Sequence, residues 1–281
     1  MSGFAEFASD RVIVMSAPNG ARRNHADHQA LPMTAQESAA DAVALLEAGV
    51  GVLHLHVRDA DGAHSLDAGL YREAIQAIDK TVGDELIVQI TTEAVGRYSS
   101  DEQMALVREL RPEAVSLALR EICPVGSDET ATSELFAWMV REQVWPQIIL
   151  YSVADVQRFE DMRRRGVFSS DSPFTMFVLG KYGSAEPGSR AGLDALLEAA
   201  DHEAYPWATC CFGPNENDVM LAATEAGGHV RLGFENNLQL PDGSVAAENA
   251  DLIRQYVADA ASLGRPPASA AEIRTAFRMH R

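Results

Sequence analysis

The sequence predicts an α/β fold, a closed (β/α)8 TIM barrel, on three observations. Eight apolar strand-like runs alternate with helical patterns along nearly the whole of the 281-residue chain. No linker, low-complexity tract or charge block divides them, so residues 1–281 are expected to form a single catalytic domain. No Gly-x-Gly-x-x-Gly follows the first run, which disfavours the open dinucleotide-binding sheet. Strict strand–helix alternation means a parallel sheet, and eight units at this length suit a barrel of about 250 residues.

The elements follow in order. Residues 11–16 read as a buried strand, broken by Ala17-Pro18-Asn19-Gly20. A polar loop leads to Thr34, which with Glu37 makes a capping box for a helix to about Glu47, closed by Gly49. Val52 to Val57 alternates apolar and polar, the period of a strand, and Ala60-Asp61-Gly62 reads as a turn. Leu66 to Val82 is helical, with Tyr71, Ala74, Ile75 and Ile78 on one face. Strands over 85–90, 113–119, 146–151, 174–179, 207–211 and 229–233 then alternate with helices over about 100–110, 130–143, 153–165, 191–200, 215–226 and 246–263.

Composition narrows the function. An apolar fraction of 47% supports a sizeable core without disulfides. With 41 acidic and 23 basic residues the formal charge is −18, which argues against nucleic acid and anionic membrane as partners. Cys123, Cys210 and Cys211 give no disulfide framework, so a reducing cytoplasm is expected. No apolar run approaches a membrane span, and no signal peptide is visible.

In a barrel the polar residues at strand ends converge on one face. His54 and His56 lie two apart and so project from one side of their strand. Side-by-side imidazoles suit a divalent metal, zinc above all, although two backbone-bonded histidines are an equal alternative for this motif alone. Glu235 follows the eighth strand, which in a closed barrel lies two strands from the pair. A loop-capping carboxylate is the usual role of an isolated glutamate. Here it has partners with which to complete a His2Glu site with an open position. Asn19, Thr91, Thr92, Glu93, Ser116, Arg120, Tyr151, Lys181 and Arg231 stand at the other strand ends.

His54-Leu55-His56-Val57-Arg58-Asp59, with Arg231-Leu232-Gly233-Phe234-Glu235-Asn236-Asn237 late in the chain, resembles the β-keto acid cleavage enzymes, typified by 3-keto-5-aminohexanoate cleavage enzyme. Asn19-Gly20-Ala21, Leu31-Pro32-Met33-Thr34, Gln89-Ile90-Thr91-Thr92, Phe177-Val178-Leu179-Gly180 and Gly264-Arg265-Pro266 add to the resemblance, which spans Val12 to about Pro267. It implies a zinc-dependent, usually tetrameric barrel that condenses a β-keto acid with acetyl-CoA and cleaves it to acetoacetate and a new acyl-CoA. It also implies Thr91 and Ser116 as hydroxyl donors to substrate and Arg231 near the reacting centre; Asn19, Arg22 and Thr92 are expected to bind substrate beside them.

Three departures bear on mechanism. The family arginine usually works with an aspartate after the metal-binding glutamate, and here that catalytic position is Asn236. An amide is no base at neutral pH, so Glu93 or a metal-bound water is expected to take the proton. An Asn236→Asp exchange should then be tolerated. Arg22 replaces the carboxylate of aminated-substrate members, and Ile149 stands near a second acidic position, so a neutral or anionic substrate is expected. Glu93-Ala94 replaces the common Gly-Gly. A zinc-dependent hydrolase or aldolase, or a diverged metabolite-binding barrel, is the alternative.

Overall fold

The computed structural model describes Phe7 and residues 10–170, 172–183 and 186–279. The chain runs β1 (Val14–Ser16), α1 (Ala35–Glu47), β2 (Val52–Leu55), β3 (Val57–Arg58), β4 (His64–Ser65), α2 (Ala68–Val82), β5 (Ile87–Thr91), α3 (Ser100–Leu110), β6 (Ala114–Ala118) and α4 (Leu119–Ile122). It continues α5 (Thr130–Glu142), β7 (Trp145–Leu150), α6 (Val153–Arg164), β8 (Phe174–Leu179), α7 (Arg190–Ala199), β9 (Trp207–Cys211), α8 (Glu216–Glu225), β10 (His229–Leu232), α9 (Asn249–Ala260) and α10 (Ala270–Phe277). Eight strands close in the order β1-β10-β9-β8-β7-β6-β5-β2, all parallel, with β10 pairing β1. The predicted barrel is therefore the fold.

The local signals explain the helices. Thr34 and Glu37 form the expected capping box on α1, and Ser99 with Glu102 does the same for α3. Asp67, Ser152 and Ser189 cap α2, α6 and α7 through their side chains. The outward strand residues, such as Leu53, Ile90, Leu117 and Phe177, pack against the helices in one large apolar cluster. The barrel interior holds a second cluster that includes Met15, Val52, Ile87, Phe174 and Met176. Among the described residues, no helix is long and apolar enough to cross a membrane.

The structure departs from the predicted elements in three places. The His-x-His strand ends at Leu55, because the His56 carbonyl accepts the Asn19 amide (3.0 Å) instead of extending the ladder. Val57-Arg58 then pairs antiparallel with His64-Ser65 in a small hairpin. Its tip is the predicted turn, closed by Asp61 and Ala63 amides donating to Asp59 Oδ1. The last helix of the pattern begins at Asn249 rather than Ala246, and α10 follows the Pro266-Pro267 break where no helix was expected.

Candidate metal centre and active site

Three side chains meet at the mouth of the barrel. His54 lies within β2 and His56 just past its end, and their Nε2 atoms are 3.1 Å apart. Glu235 sits in the turn after β10, with Oε2 3.7 Å from His54 Nε2 and Oε1 3.7 Å from His56 Nε2. These carboxylate contacts are too long for hydrogen bonds, and Glu235 Oε2 is buried with no hydrogen-bond partner among the described residues. Burial first, then neighbouring charge, holds both imidazoles well below the usual histidine range, so both are neutral. His54 Nδ1 donates to Gln89 Oε1 (2.9 Å), and Gln89 is itself oriented by donating to Gln147 Oε1 (3.4 Å). That network assigns the tautomer and leaves the Nε2 lone pair facing its neighbours. The His54 lone pair, the adjacent His56 imidazole and the Glu235 carboxylate, with ligand atoms all within 4.8 Å of one another, fit a divalent cation.

Backbone geometry makes room for this cluster. Gly20 has φ +61°, and a β-carbon there would meet Glu235 Cγ at 2.5 Å. Gly233, at φ +136°, lets β10 close on β1, since a β-carbon would lie 2.5 Å from the Ala17 carbonyl oxygen. Arg58 donates to the carbonyls of Gly20, Arg23 (2.9 Å) and Gly62 (3.0 Å), tying the first loop to the hairpin.

A cavity of about 560 Å³ opens above the cluster, within the range of small-molecule sites. Glu93 projects into it, with Oε2 3.9 Å from His56 Nδ1. Burial, and then the Glu235 and Glu121 carboxylates, push Glu93 up to about 7 against the pull of Arg22 and Arg231. The Thr91 hydroxyl oxygen accepts the Glu93 amide (3.1 Å), so its proton is free for the cavity. Arg231 lies inside the barrel, with Nη2 3.3 Å from Cys210 Sγ and 3.7 Å from Glu235 Oε2, and its buried Nε has no hydrogen-bond partner among the described residues. Arg22, Arg23, Arg120 and Lys181 border the same space. Asp27 is taken by the Asn24 amide, and Arg22 makes no hydrogen bond or ion pair among the described residues. Cations thus line the cavity of a chain whose formal charge is −18.

Of the residues singled out from sequence, His54, His56, Glu235, Glu93, Arg231, Asn19, Arg22 and Thr91 border the cavity together. Thr92, Ser116 and Asn236 do not. Adjacent residues on a strand face opposite ways, so Thr92 points outward and donates to the Ser116 carbonyl (3.2 Å). Ser116 faces the barrel interior, its hydroxyl buried without a hydrogen-bond partner among the described residues. Asn236 turns away from the reacting space, donating to Glu216 Oε1 and the Arg231 carbonyl, both at 3.3 Å. Asn19 braces the loop, donating to the carbonyls of Pro32 (2.9 Å) and His56 (3.0 Å). Sequence reasoning missed Gln89 and Gln147, although glutamines inside apolar strand runs signal a polar barrel interior. It also missed Glu121 and Glu216, which carry no motif.

The sequence pattern of the beta-keto acid cleavage enzymes matches residues 11–279. A 3-keto-5-aminohexanoate cleavage enzyme of Fusobacterium nucleatum is 30% identical over 271 residues, covering 94% of this chain and 97% of that protein. A 3-oxoadipate:acetyl-CoA acetyltransferase of Cupriavidus necator is 26% identical over 268 residues, covering 93% of each. Among solved structures, ObcA bound to oxaloacetate superposes with a TM-score of 0.70 at 16% identity, covering 89% of this chain and 68% of that one. At that identity the likeness speaks for the barrel alone.

Proposed function

Because the chain belongs to the beta-keto acid cleavage enzyme family, we propose that it is a zinc-dependent acyltransferase, acting as one catalytic domain, that converts a β-keto acid and acetyl-CoA to acetoacetate and a new acyl-CoA. The observation that carries this reading is the His54–His56–Glu235 cluster beneath a cavity into which Glu93 projects. His54, His56 and Glu235 would hold the metal, which as a Lewis acid would lower the cost of negative charge on a bound ketone and carboxylate.

The chain's own residues supply the rest. Glu93 takes a proton from the carbon between the substrate's ketone and carboxylate, and its buried site beside other carboxylates makes it a stronger base than a surface glutamate. The carbanion attacks the acetyl carbonyl of acetyl-CoA and displaces the thiolate. The thiolate adds to the substrate ketone, the bond between ketone and α-carbon breaks, and Glu93 returns its proton to the released acetoacetate. Arg231, buried and always charged, faces the negative charge that develops, and the Thr91 hydroxyl is placed to donate to an oxygen. Asn236 contributes no proton transfer.

The cationic cavity wall supports an anionic or neutral substrate over an aminated one. Arg22 stands beside Glu93 and would meet an ammonium tail with like charge, which costs several kcal/mol when partly desolvated. The buried free cysteines support a reducing, cytoplasmic setting. The test is a panel of β-keto acids with and without acetyl-CoA, run on wild type and His54→Ala. Turnover should need both acetyl-CoA and His54. Turnover without acetyl-CoA would favour a hydrolase.

A further inference from the structure

Glu216 is a buried carboxylate outside the cavity that the mechanism above does not use. It opens α8, is 1% exposed, and among the described residues receives hydrogen bonds only from the turn that carries Glu235. Gly233 N and Asn236 Nδ2 donate to Oε1 and Asn237 Nδ2 donates to Oε2, each at 3.3 Å. Asn236 Nδ2 also donates to the Arg231 carbonyl (3.3 Å), and Gly213 N donates to the Asn236 carbonyl (3.2 Å). The turn is therefore held from both sides, on β10 and on the loop before α8.

The chemistry of these contacts is one-directional. A carboxylate only accepts, and an amide NH2 donates. An aspartate at 236 would bring a second carboxyl group to about the same 3.3 Å from Glu216 in a buried site, where two negative charges cannot both persist: one of the pair must hold a proton, and the Asn236 donor to Glu216 is lost. These contacts argue against the expectation that Asn236→Asp is tolerated. We propose that Glu216 and Asn236 form one coupled positioning unit, in which the Glu216 carboxylate, through the Asn236 amide, sets the turn that presents Glu235 to the metal site. Residue 236 is an amide because residue 216 is an acid. This rests on the reading of Glu235 as a metal ligand.

Four proteins test it: wild type, Glu216→Gln, Asn236→Asp and the double exchange. Each is measured by zinc affinity in chelator competition and by melting temperature without metal. Asn236→Asp should lose at least about tenfold in zinc affinity, the scale of outer-shell changes at metal sites, and should melt several degrees lower. Glu216→Gln should lose less, since its remaining oxygen still accepts. The double variant should regain most of both losses, because the amide introduced at position 216 then donates to the carboxylate introduced at position 236, a non-additivity expected of groups in contact. Losses that simply accumulate in the double variant, or an Asn236→Asp protein equal to wild type, overturn the proposal. If Asn236→Asp fails to fold, the double variant decides: it folds if the pair is coupled and fails if it is not. The metal-free melting arm stands whether or not the cluster binds zinc, and zinc retention by His54→Ala tests that reading separately.

Discussion

Gly20→Ala separates the placement of Glu235 from the stability of the barrel. A β-carbon on Gly20 would lie 2.5 Å from Glu235 Cγ, 3.0 Å from its Cβ and 3.2 Å from its Cδ. Ordinary contact begins near 3.4 Å, so the glutamate must withdraw by roughly 1 Å. Metal–ligand distances tolerate only about 0.2 Å, and the displaced carboxylate should cost about 10- to 100-fold in zinc affinity. The substitution has a second cost, since φ is +61° and an L side chain in the left-handed region costs about 1–2 kcal/mol. Gly264 is the control. Its φ is +74° in the left-handed region, and its β-carbon would meet nothing within 4 Å, so Gly264→Ala carries the backbone cost alone. Melting curves and chelator competition are run on both. Both variants should melt a few degrees lower, and only Gly20→Ala should lose zinc. Equal zinc affinity in the two variants would refute the role given to Glu235.

Glu93→Gln should keep its zinc and slow exchange of the substrate's α-protons with deuterated water by about 10²-fold or more, as loss of a general base does; exchange at the wild-type rate removes Glu93 from the mechanism. Arg22→Glu should move the kcat/KM preference at least about tenfold from a carboxylate-tailed toward an ammonium-tailed β-keto acid, about 1.4 kcal/mol, and an unchanged order would show that Arg22 does not read the tail. Burial pushes Asp41 up from 3.8 to about 7, with Asn249 opposing and Glu248 adding to the rise. Between those values the folded chain holds a proton that the unfolded chain has lost, so the destabilisation grows as pH rises and is complete above about 7. Asp41→Asn should therefore raise the melting temperature, and by more at pH 8 than at pH 5, in a thermal scan at the two pH values.

The barrel was legible because its signals are local and repeat: apolar runs of strand length, capping residues such as Thr34, and helix faces such as that of Tyr71 and Ile78. The His54–His56–Glu235 cluster was legible because closing eight strands brings the second and eighth near each other, which strand counting alone predicts. What escaped depends on contacts between distant loops. That His56 leaves its strand is decided by the Asn19 amide, far back in the chain. The outward direction of Thr92 was available from period-two alternation, since Gln89 and Thr91 share the inner face. The sequence reading had nonetheless expected both threonines at the substrate. Glu216 had no signal at all, because an acidic residue opening a helix is ordinary until its neighbours are known.

The central claim is that acetyl-CoA enters the reaction as a carbon donor. The measurement that tests it most directly uses acetyl-CoA labelled with ¹³C in both acetyl carbons, together with the β-keto acid that turns over fastest. The account predicts acetoacetate carrying both labelled carbons and an acyl-CoA whose acyl carbons are all unlabelled. Label in the new acyl-CoA, unlabelled acetoacetate, or a free acid formed without acetyl-CoA would contradict it.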